Sequence, residues 1–147
     1  MQDLPHHYAV TATNVSGDDV ILSSPGLDEL TTAGPAEFGG PGDLWSPETL
    51  LVGAVADCFI LSFRAIARAA KLEWLSLDCA VVGTLDKVER ITQFTGFDVK
   101  AELTVPAGTD DSKAERLMAK AEKYCLITNS MKAGTTLTAT VRVADFA

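Results

Sequence analysis

No lysine or arginine occurs before Arg64, histidine is confined to His6 and His7, and cysteine appears only at Cys58, Cys79 and Cys125. Each scarcity removes a class of chemistry. With both histidines near the N-terminus, no downstream imidazole is available for a Cys-His protease arrangement. The cysteines lack the spacing of metal ligands, and Gly39-Gly40-Pro41-Gly42 lacks the Lys-Ser/Thr continuation of a phosphate-binding loop. A stretch such as Met1-Gln2-Asp3-Leu4-Pro5-His6-His7 has neither the basic start nor the apolar run of a signal peptide. The expectation is a soluble, cytoplasmic protein in which three thiols do not form a disulfide framework.

Residues 1–63 carry nine carboxylates and no Lys or Arg, whereas residues 64–147 carry eleven carboxylates and all twelve basic residues. A net charge of −8 argues against nucleic acid or an anionic membrane as partner, because a phosphate surface needs a basic footprint. No membrane span is expected either, since the longest apolar run is broken by Asp57 and followed by Arg64 and Arg68. At 147 residues and 47% hydrophobic content the chain fits a single domain, residues 1–147, or half of an intertwined dimer. The charge asymmetry hints at the second, with the acidic segment lying across the rest of its own chain or a partner's.

Along the chain, Tyr8 to Thr13 and Val20 to Ser23 read as an N-terminal hairpin (residues 1–23) with a polar turn. Residues 24–45 are rich in glycine and proline, so regular structure is not expected there, and the segment reads equally as a lid, a binding loop or a linker. Ser46-Pro47-Glu48 opens a central helix over 46–71: serine caps, proline suits the first helical position, and the carboxylate favours the positive end of the dipole. Its first half is apolar on nearly every side and should be buried. A β-hairpin follows over 74–105, from Trp74 to Asp86 and Thr92 to Val105, with Leu75, Leu77, Cys79 and Val81 on one face. A second helix over 111–124 turns Ala114, Leu117, Met118 and Ala121 inward, and a closing strand spans 135–144. Hairpin, helix, hairpin, helix and strand make an α+β fold.

Cys58 lies in the small-residue run Gly53-Ala54-Val55-Ala56-Asp57-Cys58-Phe59, and Cys125 follows the second helix beside Thr128, Asn129 and Ser130. A buried cysteine is commonly inert, and Cys79, on the alternating face of a strand, reads as core. A second thiol at a turn is what a peroxide-reactive cysteine needs to trap its sulfenic acid, which keeps redox chemistry open for Cys58 and Cys125.

The Ser46-Pro47-Glu48 helix start, the run into Cys58-Phe59, and Cys125 before a short turn and closing strand resemble the OsmC/Ohr family of thiol-dependent peroxidases. The resemblance covers nearly the whole chain. It implies an intertwined homodimer whose sheets wrap two central helices, Cys58 as peroxidatic nucleophile and Cys125 as resolving thiol. It also implies reduction of organic hydroperoxides, with dihydrolipoamide or another small dithiol as reductant and no metal or prosthetic group. Glu48 resembles the family carboxylate that orients an activating arginine. Ten helical residues, roughly 15 Å, separate it from Cys58, so Glu48 serves either the partner chain's thiol or the helix start alone. The family's arginine in the N-terminal strand region has no counterpart here. The alternative function is a non-catalytic binding protein for a small hydrophobic or thiol-reactive ligand.

Overall fold

Three short strands, not two, occupy the N-terminal segment. The computed structural model describes residues 1–145 and divides into two compact units, Met1–Leu50 and Leu51–Ala147. In the first, β1 (Thr11–Asn14) pairs antiparallel with β2 (Val20–Ser23), as the hairpin reading expects. The Asn14 side-chain amide donates to the Asp18 carbonyl at 2.8 Å and holds the turn.

Residues 24–45 correct the expectation of a segment without regular structure. Leu30–Thr32 forms β3 on the free edge of β2, and Ala36–Phe38 makes a turn of 3-10 helix. The triplet Leu30-Thr31-Thr32 is β-prone and has an open edge to pair with. Gly40 in this stretch serves close backbone contact rather than looseness. The Gly40 N–H donates to the Pro35 carbonyl at 2.9 Å, and a Cβ at Gly40 would collide with the Gly34 carbonyl oxygen.

The helix α1 spans Pro47–Ala69, two residues inside its expected end. Ser46 caps it reciprocally: the Thr49 N–H donates to Ser46 Oγ at 3.1 Å, and the Ser46 N–H donates to Thr49 Oγ1 at 2.8 Å. Burial of α1 differs from the all-round burial its composition suggests. Only the stripe Val55, Phe59, Phe63 and Ala67, spaced four apart, is buried, while Leu61 remains 50% exposed. One sheet can cover only one side of a helix.

That sheet belongs to the second unit and has the order β4-β5-β6. Strands β4 (Ser76–Val88) and β5 (Ile91–Val105) form the expected hairpin, with the link contracted to Glu89 and Arg90, both at positive φ (50° and 70°). Leu77, Cys79 and Val81 pack against the core as expected. Leu75 does not, because it precedes the strand and is 50% exposed. Helix α2 (Asp111–Lys123) is capped by Asp110, whose carboxylate accepts from the Lys113 N–H at 3.2 Å. A short helix α3 (Leu126–Asn129) replaces the expected turn, and β6 (Gly134–Val143) returns parallel to β5. As the central strand, β5 buries Phe97, Val99, Ala101, Leu103 and Val105 against the α1 stripe and against Ala114, Met118 and Ala121 of α2. Phe63 meets Trp74 edge to face at 5.6 Å between centroids.

Candidate active site

Cys58 occupies the middle of α1, one position before the core residue Phe59, so its side chain leaves the buried stripe and is half-buried. Cys125 sits at the N-cap of α3, where the chain turns after α2, and is buried at 2% exposure. The fold of the second unit brings these two residues, 67 positions apart in sequence, into hydrogen-bond contact.

The surroundings shift the two thiols in opposite directions. Burial pushes the Cys58 thiol up. It is outweighed by hydrogen bonds to the thiolate from the Ile127 N–H, the Cys125 thiol, the Ser62 hydroxyl and the Leu126 N–H, so the net shift is downward. Ser62 Oγ lies 3.8 Å from Cys58 Sγ. Burial also pushes the Cys125 thiol up. The Thr128 N–H and hydroxyl oppose this, and the neighbouring Cys58 raises it further, leaving Cys125 above its ordinary value. Of the two thiols, Cys58 is therefore the readier to ionise and Cys125 the readier to keep its proton. Cys79 is pushed up to about 11, first by burial and then by nearby Cys125 once that thiol ionises, which fits the core role expected of it.

An open groove of about 430 Å³ leads to Cys58, lined by Ala54, Asp57, Leu61, Ser62, Leu126 and Ile127. The groups that lower Cys58 are all neutral. Among the described residues no cluster of His, Cys, Asp and Glu is arranged to hold a metal ion.

Glu48, the third residue singled out in the sequence, lies in the first turn of α1 and is not among the groups that bond to Cys58. Its Oε1 is buried and finds no hydrogen-bond partner among the described residues. Sequence reasoning missed Ser62, although its position one turn after Cys58 was readable from helical spacing. It also missed the Leu126 and Ile127 amides, which no local pattern could attach to Cys58.

The fold and the site together define a class: an α+β protein with two neighbouring cysteines, one on a central helix and one at a turn, beside an apolar groove. Residues 40–140 match the family model of OsmC-like protein, and the chain belongs to that family. The chain is 30% identical to an organic hydroperoxide resistance protein of Xanthomonas axonopodis pv. citri over 91% of this chain and 94% of that protein. An OsmC-like protein of unknown function from Vibrio cholerae superposes with a TM-score of 0.84 at 18% identity, covering 92% of this chain and 99% of that one. An organic hydroperoxide resistance protein from Legionella pneumophila superposes at 0.75 with 24% identity, covering 96% and 100%. These likenesses establish the α+β OsmC-like fold.

Proposed function

We propose that this protein is a thiol-dependent peroxidase that reduces organic hydroperoxides to alcohols through Cys58 and Cys125. The observation that carries the reading is the contrast between two neighbouring thiols: hydrogen bonds hold Cys58 below its ordinary value, while burial and the nearness of Cys58 hold Cys125 above its own. The names of the Xanthomonas and Legionella relatives support the same chemistry.

In the first step the Cys58 thiolate attacks the terminal oxygen of the hydroperoxide. An S–O bond forms, the O–O bond breaks, and the alkoxide leaves with the electron pair and takes a proton to become the alcohol. Cys58 is now a sulfenic acid. Cys125 attacks its sulfur, the S–S bond forms, and the hydroxyl leaves as water with the Cys125 proton. An external dithiol, of which dihydrolipoamide is an example, reopens the disulfide by exchange and is itself oxidised. No metal or prosthetic group takes part in this scheme. Among the groove's lining residues, Ala54, Leu61, Leu126 and Ile127 suit the alkyl portion of the substrate better than they suit hydrogen peroxide.

The working unit in this reading is a soluble cytoplasmic homodimer. The side of α1 left open, with Leu61 half exposed, is apolar surface of the kind a second copy covers. The unpaired Glu48 Oε1 fits a donor from that copy, while its first-turn position fits a helix-start charge equally well. Burial of the opposite stripe supports reading α1 as a core helix, although it has the length and composition of a membrane span.

A second reading, ligand binding without turnover, is favoured by one observation: among the described residues the donors that stabilise Cys58 are all neutral. Steady-state consumption of cumene hydroperoxide with dihydrolipoamide decides between them. Turnover abolished by Cys58→Ser, and inactivation by over-oxidation hastened in Cys125→Ser, support the peroxidase. Wild-type turnover no greater than that of Cys58→Ser transfers the case to ligand binding.

A further inference from the structure

We propose that Thr128 is the positioning residue of the resolving step: its hydroxyl bonds the Cys125 carbonyl while Cys125 keeps its proton, and turns to the Cys125 sulfur when that proton leaves. The resolving role of Cys125 rests on the peroxidase reading; the movement of the hydroxyl does not.

Cys125 is the N-cap of α3, and Thr128 is the third residue of that helix. The Thr128 hydroxyl donates to the Cys125 carbonyl at 3.2 Å. That carbonyl is already served by the Asn129 N–H at 3.0 Å, so withdrawing the hydroxyl leaves no buried acceptor unsatisfied. The Cys125 side chain itself makes no capping hydrogen bond. Once ionised, its sulfur finds two donors on one residue, the N–H and the hydroxyl of Thr128, and both ease loss of the proton. A hydroxyl carries one hydrogen and cannot serve carbonyl and sulfur together. It therefore has two positions, selected by the charge on the sulfur. Thr128 is 9% exposed and Cys125 2% within their own chain, so these contacts lie beneath whatever covers the open side of α1.

Timing follows from Cys58. Among the described residues the titratable groups felt at Cys125 are Cys58 of α1 and Cys79 of β4, and Cys79, pushed up to about 11, stays neutral near physiological pH. Cys58 raises Cys125 both by hydrogen bonding and by charge. Attack on the hydroperoxide turns Cys58 into a sulfenic acid, which ends the repulsion. Cys125 then gives up its proton and its sulfur attacks that of Cys58, so the S–S bond forms as the S–O bond breaks. Hydroxide leaves and takes the proton to become water; Cys125 is oxidised and Cys58 reduced to the disulfide. Sulfur in a disulfide carries no charge, and the hydroxyl returns to the carbonyl.

Exchanging a neutral acceptor for a charged one strengthens the hydroxyl's hydrogen bond enough to favour ionisation roughly fivefold. The rate of resolution changes less, about two- to threefold, because a more basic thiolate is also the better nucleophile. The test titrates Cys125 by NMR in Cys58→Ser protein labelled with carbon-13 at cysteine Cβ, the Cys125 signal being the one that Cys125→Ser removes. Thr128→Val keeps the branched shape, removes the hydroxyl, and should move the midpoint upward by about 0.7 in pH. Thr128→Ser, which restores the donor, should return it to the value found with threonine. A midpoint that Thr128→Val leaves unmoved, or that Thr128→Ser shifts equally, overturns the proposal.

The second arm mixes reduced protein, with Cys58 intact, and one equivalent of cumene hydroperoxide. Thr128→Val should slow formation of the Cys58–Cys125 disulfide about two- to threefold near neutral pH and lengthen the life of the sulfenic acid that dimedone traps. The slowing should disappear above the variant's midpoint, where Cys125 is ionised with or without the hydroxyl. Equal slowing at every pH marks a merely structural role and overturns the proposal. Absence of Cys58 oxidation, with the shift of the Cys125 midpoint intact, defeats the peroxidase reading while leaving Thr128 as the residue that governs ionisation of Cys125.

Discussion

Ser62 Oγ lies 3.8 Å from Cys58 Sγ, one helical turn further along α1. A hydroxyl at that spacing can follow the sulfur through its change from thiolate to sulfenic acid without moving the helix. It acts as a positioning residue for Cys58, and replacing it by alanine removes the donor while preserving a strong helix former. A neutral hydrogen bond contributes about 1 kcal/mol, or roughly fivefold in rate. Ser62→Ala should therefore slow iodoacetamide alkylation of Cys58 near neutral pH by about that factor and move the midpoint of its pH profile upward, while Ser62→Thr retains the wild-type profile. An alanine variant with an unmoved profile would assign the stabilisation to the Leu126 and Ile127 amides and the Cys125 thiol.

Cys79 predicts a specific dependence of stability on pH. Its thiol is pushed from 9.0 to about 11 in the folded chain, chiefly by burial. Below pH 9 it is neutral in both states and its contribution is complete. Between 9 and 11 the unfolded chain loses this proton first, so the folded state binds more protons and stability falls as pH rises through the window. Urea denaturation midpoints should thus decline more steeply across that interval in the wild type than in Cys79→Ala. Parallel declines would show that Cys79 ionises alike in both states.

At Gly83, β4 lies against Val52 of α1. A Cβ built there would lie 2.8 Å from Val52 Cγ2 and 3.0 and 3.1 Å from the rings of Phe94 and Phe97. Those two rings are stacked at 5.2 Å and have little room to yield. Gly83→Ala should cost about 1–3 kcal/mol by overpacking, lowering the thermal midpoint by roughly 2–4 °C for each kcal/mol. Gly96→Ala is the matched control, since its Cβ would meet nothing nearer than the Gly134 carbonyl oxygen at 3.8 Å.

The open side of α1 predicts the assembly. Analytical ultracentrifugation should find twice the 15.6 kDa chain mass, and the value should persist on dilution because the surface to be covered is apolar rather than charged. Leu61→Glu should weaken that species, having placed a charge where half of the leucine is now exposed. A monomer with intact helical signal would remove the homodimer from the proposed function.

Local chemistry determined much of this protein. Ser46, Pro47 and Asp110 set helix starts through short-range caps, alternation in Leu77, Cys79 and Val81 set a strand face, and the spacing of Ala114, Met118 and Ala121 set the buried side of α2. Those signals act over a few residues, so they can be read in order along the chain. Where the free energy came from distant partners the sequence was mute. Leu30–Thr32 became a strand because β2 offered an unpaired edge, and Leu61 stayed exposed although its helix is apolar nearly all round. The candidate site shows the same divide. The two cysteines could be nominated from residue type and context, but which thiol is shifted down and which up was decided by the Leu126 and Ile127 amides, the Ser62 hydroxyl and burial. Ionisation responds to the field of everything packed around a group, and that packing exists only once the chain has folded.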